Sequence, residues 1–124
     1  MIDVREMHVV THGNTLIIYF DYDIDIFMKF YSWVVGADPV EEYLRGIIVG
    51  MDDLETVRLN PLGGEAIFRL QNASSYQQGW YHYTESHEFS QEVGLLRLFA
   101  SVQPNTTYYE AENVNLLPSF YYRG

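Results

Sequence analysis

The first apolar residues of the chain follow the alternating and continuous patterns that are typical of β-strands. Residues 4–10 and 15–20 form two such segments, and Thr11-His-Gly-Asn between them has the composition of a hairpin turn. The second segment holds an unbroken apolar run at residues 16–20, which is the pattern of a strand covered on both faces. The sequence therefore predicts a β-hairpin over residues 4–20.

Apolar residues then recur at helical spacing in two consecutive segments. A first helix is predicted over about residues 22–35, because the acids of residues 21–25 suit a helix start and Gly36 suits a helix end. A second is predicted over about residues 39–50, where Asp38 precedes a proline in the first turn. The stripes expected to face the core are Ile24, Phe27, Met28, Tyr31, Val34 and Val35 in the first helix and Val40, Tyr43, Leu44, Ile47, Ile48 and Met51 in the second.

The remainder of the chain favours strands. Segments 55–59 and 65–71 flank a Pro-Leu-Gly-Gly turn, and further strands are predicted at 79–84, 95–102, 106–111 and 116–122. Residues 87–102 fit both a helix and a strand, so their state stays open. The order of elements predicts one α+β domain over residues 1–124, with an antiparallel sheet of about 5–7 strands and both helices packed on one face.

Charge narrows the classes of partner. Seventeen acidic residues face seven basic ones, and the net charge is −10. Because phosphate backbones and anionic lipid surfaces require a basic footprint, neither nucleic acid nor a membrane is an expected partner. A protein with a basic face is the expected partner, although acidity also serves solubility alone. The chain has no Cys and no basic segment followed by an apolar run near residue 1, which favours a cytoplasmic location.

Several short motifs resemble known catalytic or metal sites and then depart from them. The Asp21-x-Asp23 pair after an apolar strand resembles the nucleophile motif of haloacid-dehalogenase-type phosphatases, but Asp25 stands where Thr or Val is expected. The same acids resemble the start of an EF-hand calcium loop, yet that loop needs Gly and Glu where Ile26 and Ser32 stand. His82 and His87 are candidate metal ligands, but they are five residues apart and would therefore lie on opposite faces of a strand. We therefore predict no catalytic residue, no metal ligand and no cofactor.

Two surfaces carry the expectation of protein binding. Residues 21–55 hold nine acids against Lys29 and Arg45, and a field of one sign steers a partner of opposite charge. Tyr is concentrated in the last third of the chain, and Tyr provides contact area with a polar end. The predicted partner-binding residues are the acids Asp38, Glu41, Glu42, Asp52 and Asp53 and the aromatic residues Tyr81, Tyr83, Tyr108, Tyr109, Tyr121 and Tyr122.

The first helix is apolar on a second side as well. Ile26, Phe30 and Trp33 lie about 200° from its main stripe. Either the second helix covers them or they form the interface of a homodimer.

Three functions are consistent with these features. The first is a small acidic interaction module, an inhibitor or an immunity or anti-defence protein that occludes a basic site on a larger protein. The second is a small-ligand-binding, sequestering protein with an aromatic pocket. The third is an enzyme that uses scattered acids and histidines, with His82, Glu85, Asp21 and Asp23 as the groups to examine.

Overall fold

Two long strands form the first hairpin of the fold. The structure is a computed structural model that describes residues 2–83, 86–100 and 107–123, although not the side chains of residues 100, 107–108 and 121–123. Strand β1 (Ile2–His12) and strand β2 (Thr15–Ile24) pair antiparallel around Gly13, whose φ of 60° suits a tight turn. Buried and more exposed residues alternate along both strands, so one face of the hairpin packs on the core and the other faces outward.

Six strands form the main sheet. Its order is β3 (Glu55–Asn60), β4 (Glu65–Leu70), β2, β1, β7 (His87–Ala100) and β8 (Thr107–Leu117). All neighbours pair antiparallel except β1 and β7, which run parallel. The prediction of an antiparallel sheet is therefore corrected to a mixed sheet. The parallel pair arises because β7 follows several intervening elements and returns beside β1 in the same direction.

The open assignment of residues 87–102 is decided for the residues that the structure describes. Residues 87–100 form strand β7, and Val93, Leu96 and Leu98 face the core. Gly94 allows β1 and β7 to approach closely, because a Cβ atom there would lie 2.6 Å from the carbonyl oxygen of Arg5. The ends of the predicted strands at residues 84, 101–102 and 106 lie outside the described residues.

Gln91 joins the two parallel strands where β1 bulges. Its Oε1 accepts a hydrogen bond from the Val4 amide at 3.0 Å, and its Nε2 donates to the Ile2 carbonyl at 3.0 Å. The same Nε2 also donates to the Tyr43 hydroxyl. One side chain thus connects β1, β7 and a helix, and it satisfies two backbone groups of β1 that precede Glu6, where the pairing with β7 begins.

A second, smaller sheet stands apart from the first. It contains β5 (Ser75–Gln77), β6 (Trp80–Tyr83) and β9 (Phe120–Arg123), paired antiparallel. Tyr83 and Phe120 stack with ring centroids 5.2 Å apart and belong to the same buried cluster as the core of the main sheet. The aromatic strands that the sequence indicated are therefore divided between two sheets.

The two helices are shorter than predicted, and only one is well covered. Helix α1 (Ile26–Val35) begins four residues later than expected because residues 22–24 still belong to β2, and helix α2 (Asp38–Arg45) ends before Gly46. Val40 and Leu44 of α2 are fully buried on the core face of the sheet. In α1, only Ser32 is buried and Met28 is partly buried. The prediction that both helices pack on one face is thus correct for α2 and wrong for most of α1.

Candidate protein-interaction surface

Three of the five predicted steering acids lie on α2. Asp38 and Glu42 are exposed, whereas Glu41 is half-buried and forms an ion pair with Arg45, its Oε1 lying 3.3 Å from Nε. Arg45 is held in place because its guanidinium donates to the Leu54 carbonyl at 2.7 Å and to the Thr56 hydroxyl at 2.8 Å. Glu41 therefore contributes less net field than its two neighbours on the helix.

The other two acids lie in the loop that follows α2. Asp52 and Asp53 are exposed between Met51 and Leu54, whose buried side chains hold the loop to the core. The loop forms one wall of an open cleft of about 200 Å³. The cleft is lined by residues 50–53 from this loop, by residues 70–73 after β4, and by Tyr83 and His87.

His87 fixes one side of this cleft. Its Nδ1 lies 2.9 Å from the carbonyl oxygen of Val49. Because a carbonyl oxygen only accepts hydrogen bonds, Nδ1 carries the proton and donates it. Gln71 and Asn72 also line the cleft, and Asn72 Oδ1 accepts a hydrogen bond from Asn14 Nδ2 at 3.2 Å. The cleft thus combines two carboxylates with side-chain amides, and their oxygens are acceptors for a guanidinium or ammonium group.

The outward face of the sheet has a different charge arrangement. Arg5 contacts Asp21 at 2.6 Å, Arg69 contacts Glu55 at 2.7 Å, and Arg97 contacts Glu110 at 3.6 Å. The hydrogen bond from Arg5 to Asp21 raises the pKa of the guanidinium above its ordinary value. Asp21, Glu55 and Glu110 on this face are therefore each balanced by an arginine.

The acids of α2 and of the cleft loop differ in this respect. Within the described part of the chain, no basic group forms an ion pair with Asp38, Glu42, Asp52 or Asp53. The uncompensated negative charge of these four residues lies on one side of the molecule, along α2 and the loop that follows it.

The predicted aromatic anchors have different environments. Tyr83 is 5% exposed and packs in the core, so it offers a partner little surface beyond the edge that lines the cleft. Tyr81 is half-buried and its ring lies 4.8 Å from that of Tyr76, whereas Tyr109 is 40% exposed on β8. The side chains of Tyr108, Tyr121 and Tyr122 lie outside the described residues.

Helix α1 is the feature that the sequence interpretation placed incorrectly. Ile26, Phe30 and Trp33 are 75%, 66% and 74% exposed, so α2 does not cover them. Four residues of the stripe assigned to the core are exposed as well, by 50% or more: Phe27, Tyr31, Val34 and Val35. The signal was present in the sequence, because a ten-residue helix with one charged residue has no polar face to turn toward water.

The residues considered for catalysis do not form one site. Asp21 and Asp23 lie in β2 of the main sheet and contact Arg5, whereas His82 lies in β6 of the small sheet. Asp25 caps α1, since its Oδ1 accepts from the Met28 amide at 2.8 Å. Glu85 lies outside the described residues. Among residues 2–83, 86–100 and 107–123, no cluster of three or more His, Asp or Glu is arranged to hold a metal ion.

Two clefts formed by the described residues differ from an aromatic pocket. The cleft beside Asp52 contains one aromatic phenol, that of Tyr83. A second open depression of about 520 Å³ lies over the β1 bulge, and acids such as Asp3, Glu6 and Glu92 line it. None of the helices in the described ranges is both long and apolar enough to cross a bilayer.

Comparison of this chain with known proteins identifies no family. No protein-family model matches the sequence, and no curated protein or solved structure was found to be similar to it.

Proposed function

We propose that this protein is a small acidic interaction module that occludes a basic site on a larger protein, in the manner of an inhibitor or an immunity or anti-defence protein. The observation that carries the proposal is the contrast between two sets of acids. Asp38, Glu42, Asp52 and Asp53 are exposed without a basic partner in the described chain, whereas Asp21, Glu55 and Glu110 on the outward sheet face each contact an arginine. A field of one sign on one side favours a partner of the opposite sign.

The cleft beside Asp52 gives the contact a specific chemistry. An arginine or lysine from the partner enters it and donates to the two carboxylates and to the amide oxygens of Gln71 and Asn72. The four uncompensated acids steer the approach, and the exposed ring of Tyr109 is a candidate anchor outside the cleft. The net charge of −10 disfavours direct contact with nucleic acid. The Cys-free composition suits action in the cytoplasm.

The test compares two variants that lose the same amount of charge from different places. Asp52→Asn with Asp53→Asn removes two carboxylates from the cleft, and Glu65→Gln with Glu112→Gln removes two from strands of the main sheet. Tagged wild-type protein and both variants are used to capture partners from a lysate at low salt. We expect one stoichiometric partner with wild type and with the control, and its loss with the cleft variant.

The purified partner then allows a quantitative measurement. Its association rate with the wild-type protein should fall by about tenfold or more between low and physiological salt, because screening weakens steering. An association rate that is indifferent to salt, or equal capture by the two variants, would contradict the proposal.

A further inference from the structure

Helix α1 exposes an apolar surface that is unusually large for one element of a monomer. Seven of its ten residues are apolar or aromatic side chains that are between 50% and 83% exposed. From these fractions, the exposed side-chain area is roughly 1,000 Å². The largest apolar patch of a typical monomer is about 300–600 Å². We therefore expect this surface to be covered by a binding partner.

The exposed residues form two rows. Ile26, Phe30 and Trp33 make one row, and Phe27, Tyr31 and Val34 make the other, about 100° further around the helix. With Val35, they span an arc of about 200°, and Met28 and Ser32 lie on the opposite side, toward the protein. A second helix that lies along the line between the rows contacts both of them.

The occupant of this surface is argued from area and charge. A stable interface buries about 800 Å² on each partner, and α1 alone offers that much. A two-fold interface uses the same patch on both copies, so it must be self-complementary. Two chains of −10 repel each other, and they approach most easily through a segment without acids. Residues 26–35 contain no acid, and Lys29 is their one charged side chain.

We propose that α1 is a self-association helix, and that its two rows pack against α1 of a second copy of this chain. The Phe30 and Trp33 rings, whose centroids lie 6.2 Å apart, are the two aromatic members of one row and would bury most of its area on association. This inference does not rest on the acidic surface. It also has the opposite salt dependence, because salt screens the repulsion between two acidic chains and so strengthens their association.

The first experiment measures the mass of the purified full chain by sedimentation equilibrium over a dilution series at low and high salt. We expect twice the monomer mass at about 100 µM, because interfaces of this size have micromolar or lower dissociation constants. We also expect dissociation on dilution and a lower dissociation constant at high salt. The double variant Phe30→Glu with Trp33→Glu should raise the dissociation constant by about 100-fold or more.

Two further variants separate an interface from other effects. Phe30→Ala with Trp33→Ala should also weaken association, which shows that added charge is not the cause. Val57→Glu with Leu116→Glu is the matched control, since it adds the same two charges at exposed apolar residues of β3 and β8, 52% and 44% exposed, and it should leave the dissociation constant unchanged. Circular dichroism checks that every variant is folded, which is expected because the substituted side chains are exposed.

A spectroscopic measurement locates the contact. The chain has two tryptophans, and Trp80→Phe leaves Trp33 as the reporter. Its emission should shift to shorter wavelength as the chain associates. A monomeric mass at every concentration and salt would overturn the proposal, and so would an oligomer that persists in both double variants of Phe30 and Trp33. A dimer that salt weakens would also overturn it. Because the protein is measured alone, none of these outcomes bears on the proposed binding of a basic partner.

Discussion

Tyr22 gives a prediction whose magnitude can be worked out from the structure. The side chain is 1% exposed at the end of β2, and its hydroxyl donates to the Asn60 carbonyl at 3.0 Å, with the Pro61 carbonyl at 3.3 Å. Burial raises the pKa of the phenol from 10.0 to about 12. A shift of about two units corresponds to about 2.7 kcal/mol of preference for the protonated form in the folded state.

The sign of the pH dependence follows from this shift. Since the folded state binds the proton more tightly than the unfolded chain, this stabilisation is complete below about pH 10 and is lost as the pH rises to about 12. Tyr22→Phe removes the titrating group, and it also removes a hydrogen bond worth about 1 kcal/mol. We therefore expect wild type to be about 1 kcal/mol more stable than Tyr22→Phe at neutral pH. Above about pH 12, it should be about 1.7 kcal/mol less stable than the variant.

Urea unfolding, followed by circular dichroism over this pH range, measures the effect. The free energies of unfolding of wild type and Tyr22→Phe should cross as the pH rises. Tyr76→Phe is the control, because Tyr76 is 59% exposed and its hydroxyl stays in water, so its curve should follow that of wild type. Parallel curves for wild type and Tyr22→Phe would refute the reasoning, since they would mean that the phenol ionises equally easily in both states.

Three other substitutions test the contact between β1 and β7, the buried side of α1 and the N-terminal cap of α1. Gly94→Ala should lower the free energy of unfolding by about 1–3 kcal/mol, because its Cβ would lie 2.6 Å from the Arg5 carbonyl oxygen; an unchanged urea midpoint would argue against that contact. Ser32→Ala should raise the free energy of unfolding by up to about 1 kcal/mol, because the buried hydroxyl has no hydrogen-bond partner among the described residues. A lower urea midpoint would show that a partner exists. Asp25→Ala should destabilise α1 through the lost bond to the Met28 amide, seen as faster amide hydrogen exchange within α1, and unchanged exchange would show that the cap is dispensable.

The parts of the fold that the sequence predicts well are those with a local cause. The β1–β2 hairpin and the start of α2 follow from neighbouring residues, such as Gly13 in the turn and the Pro in the first turn of the helix. The pairing of β1 with β7 has no such cause. Glu6 pairs with Leu95 across most of the chain, and alternation along a strand does not tell which strand will lie beside it or in which direction.

The error at α1 has a different origin. Helical spacing identifies a helix, but it does not distinguish a stripe that faces the core from one that faces a partner, because both are apolar. The presence of a second apolar row at Ile26, Phe30 and Trp33 made the two sides of the helix equivalent in the sequence. Only the packing of the chain shows that Met28 and Ser32 face inward. Similarly, the sequence locates the acids of the candidate site but not which of them contact arginines.

The length of β2 has a consequence for how a dimer would bind. Leu16, near its start, pairs with Leu70 at the rim of the acidic cleft, and Ile24, at its end, leads into α1. At about 3.3 Å per residue, the strand places the rim of the cleft roughly 25 Å from the residue that leads into α1. A pair of chains joined through α1 would therefore leave both clefts open and act as a bivalent ligand. On a target that displays repeated basic sites, the second contact becomes intramolecular, and the avidity exceeds the affinity of either cleft alone.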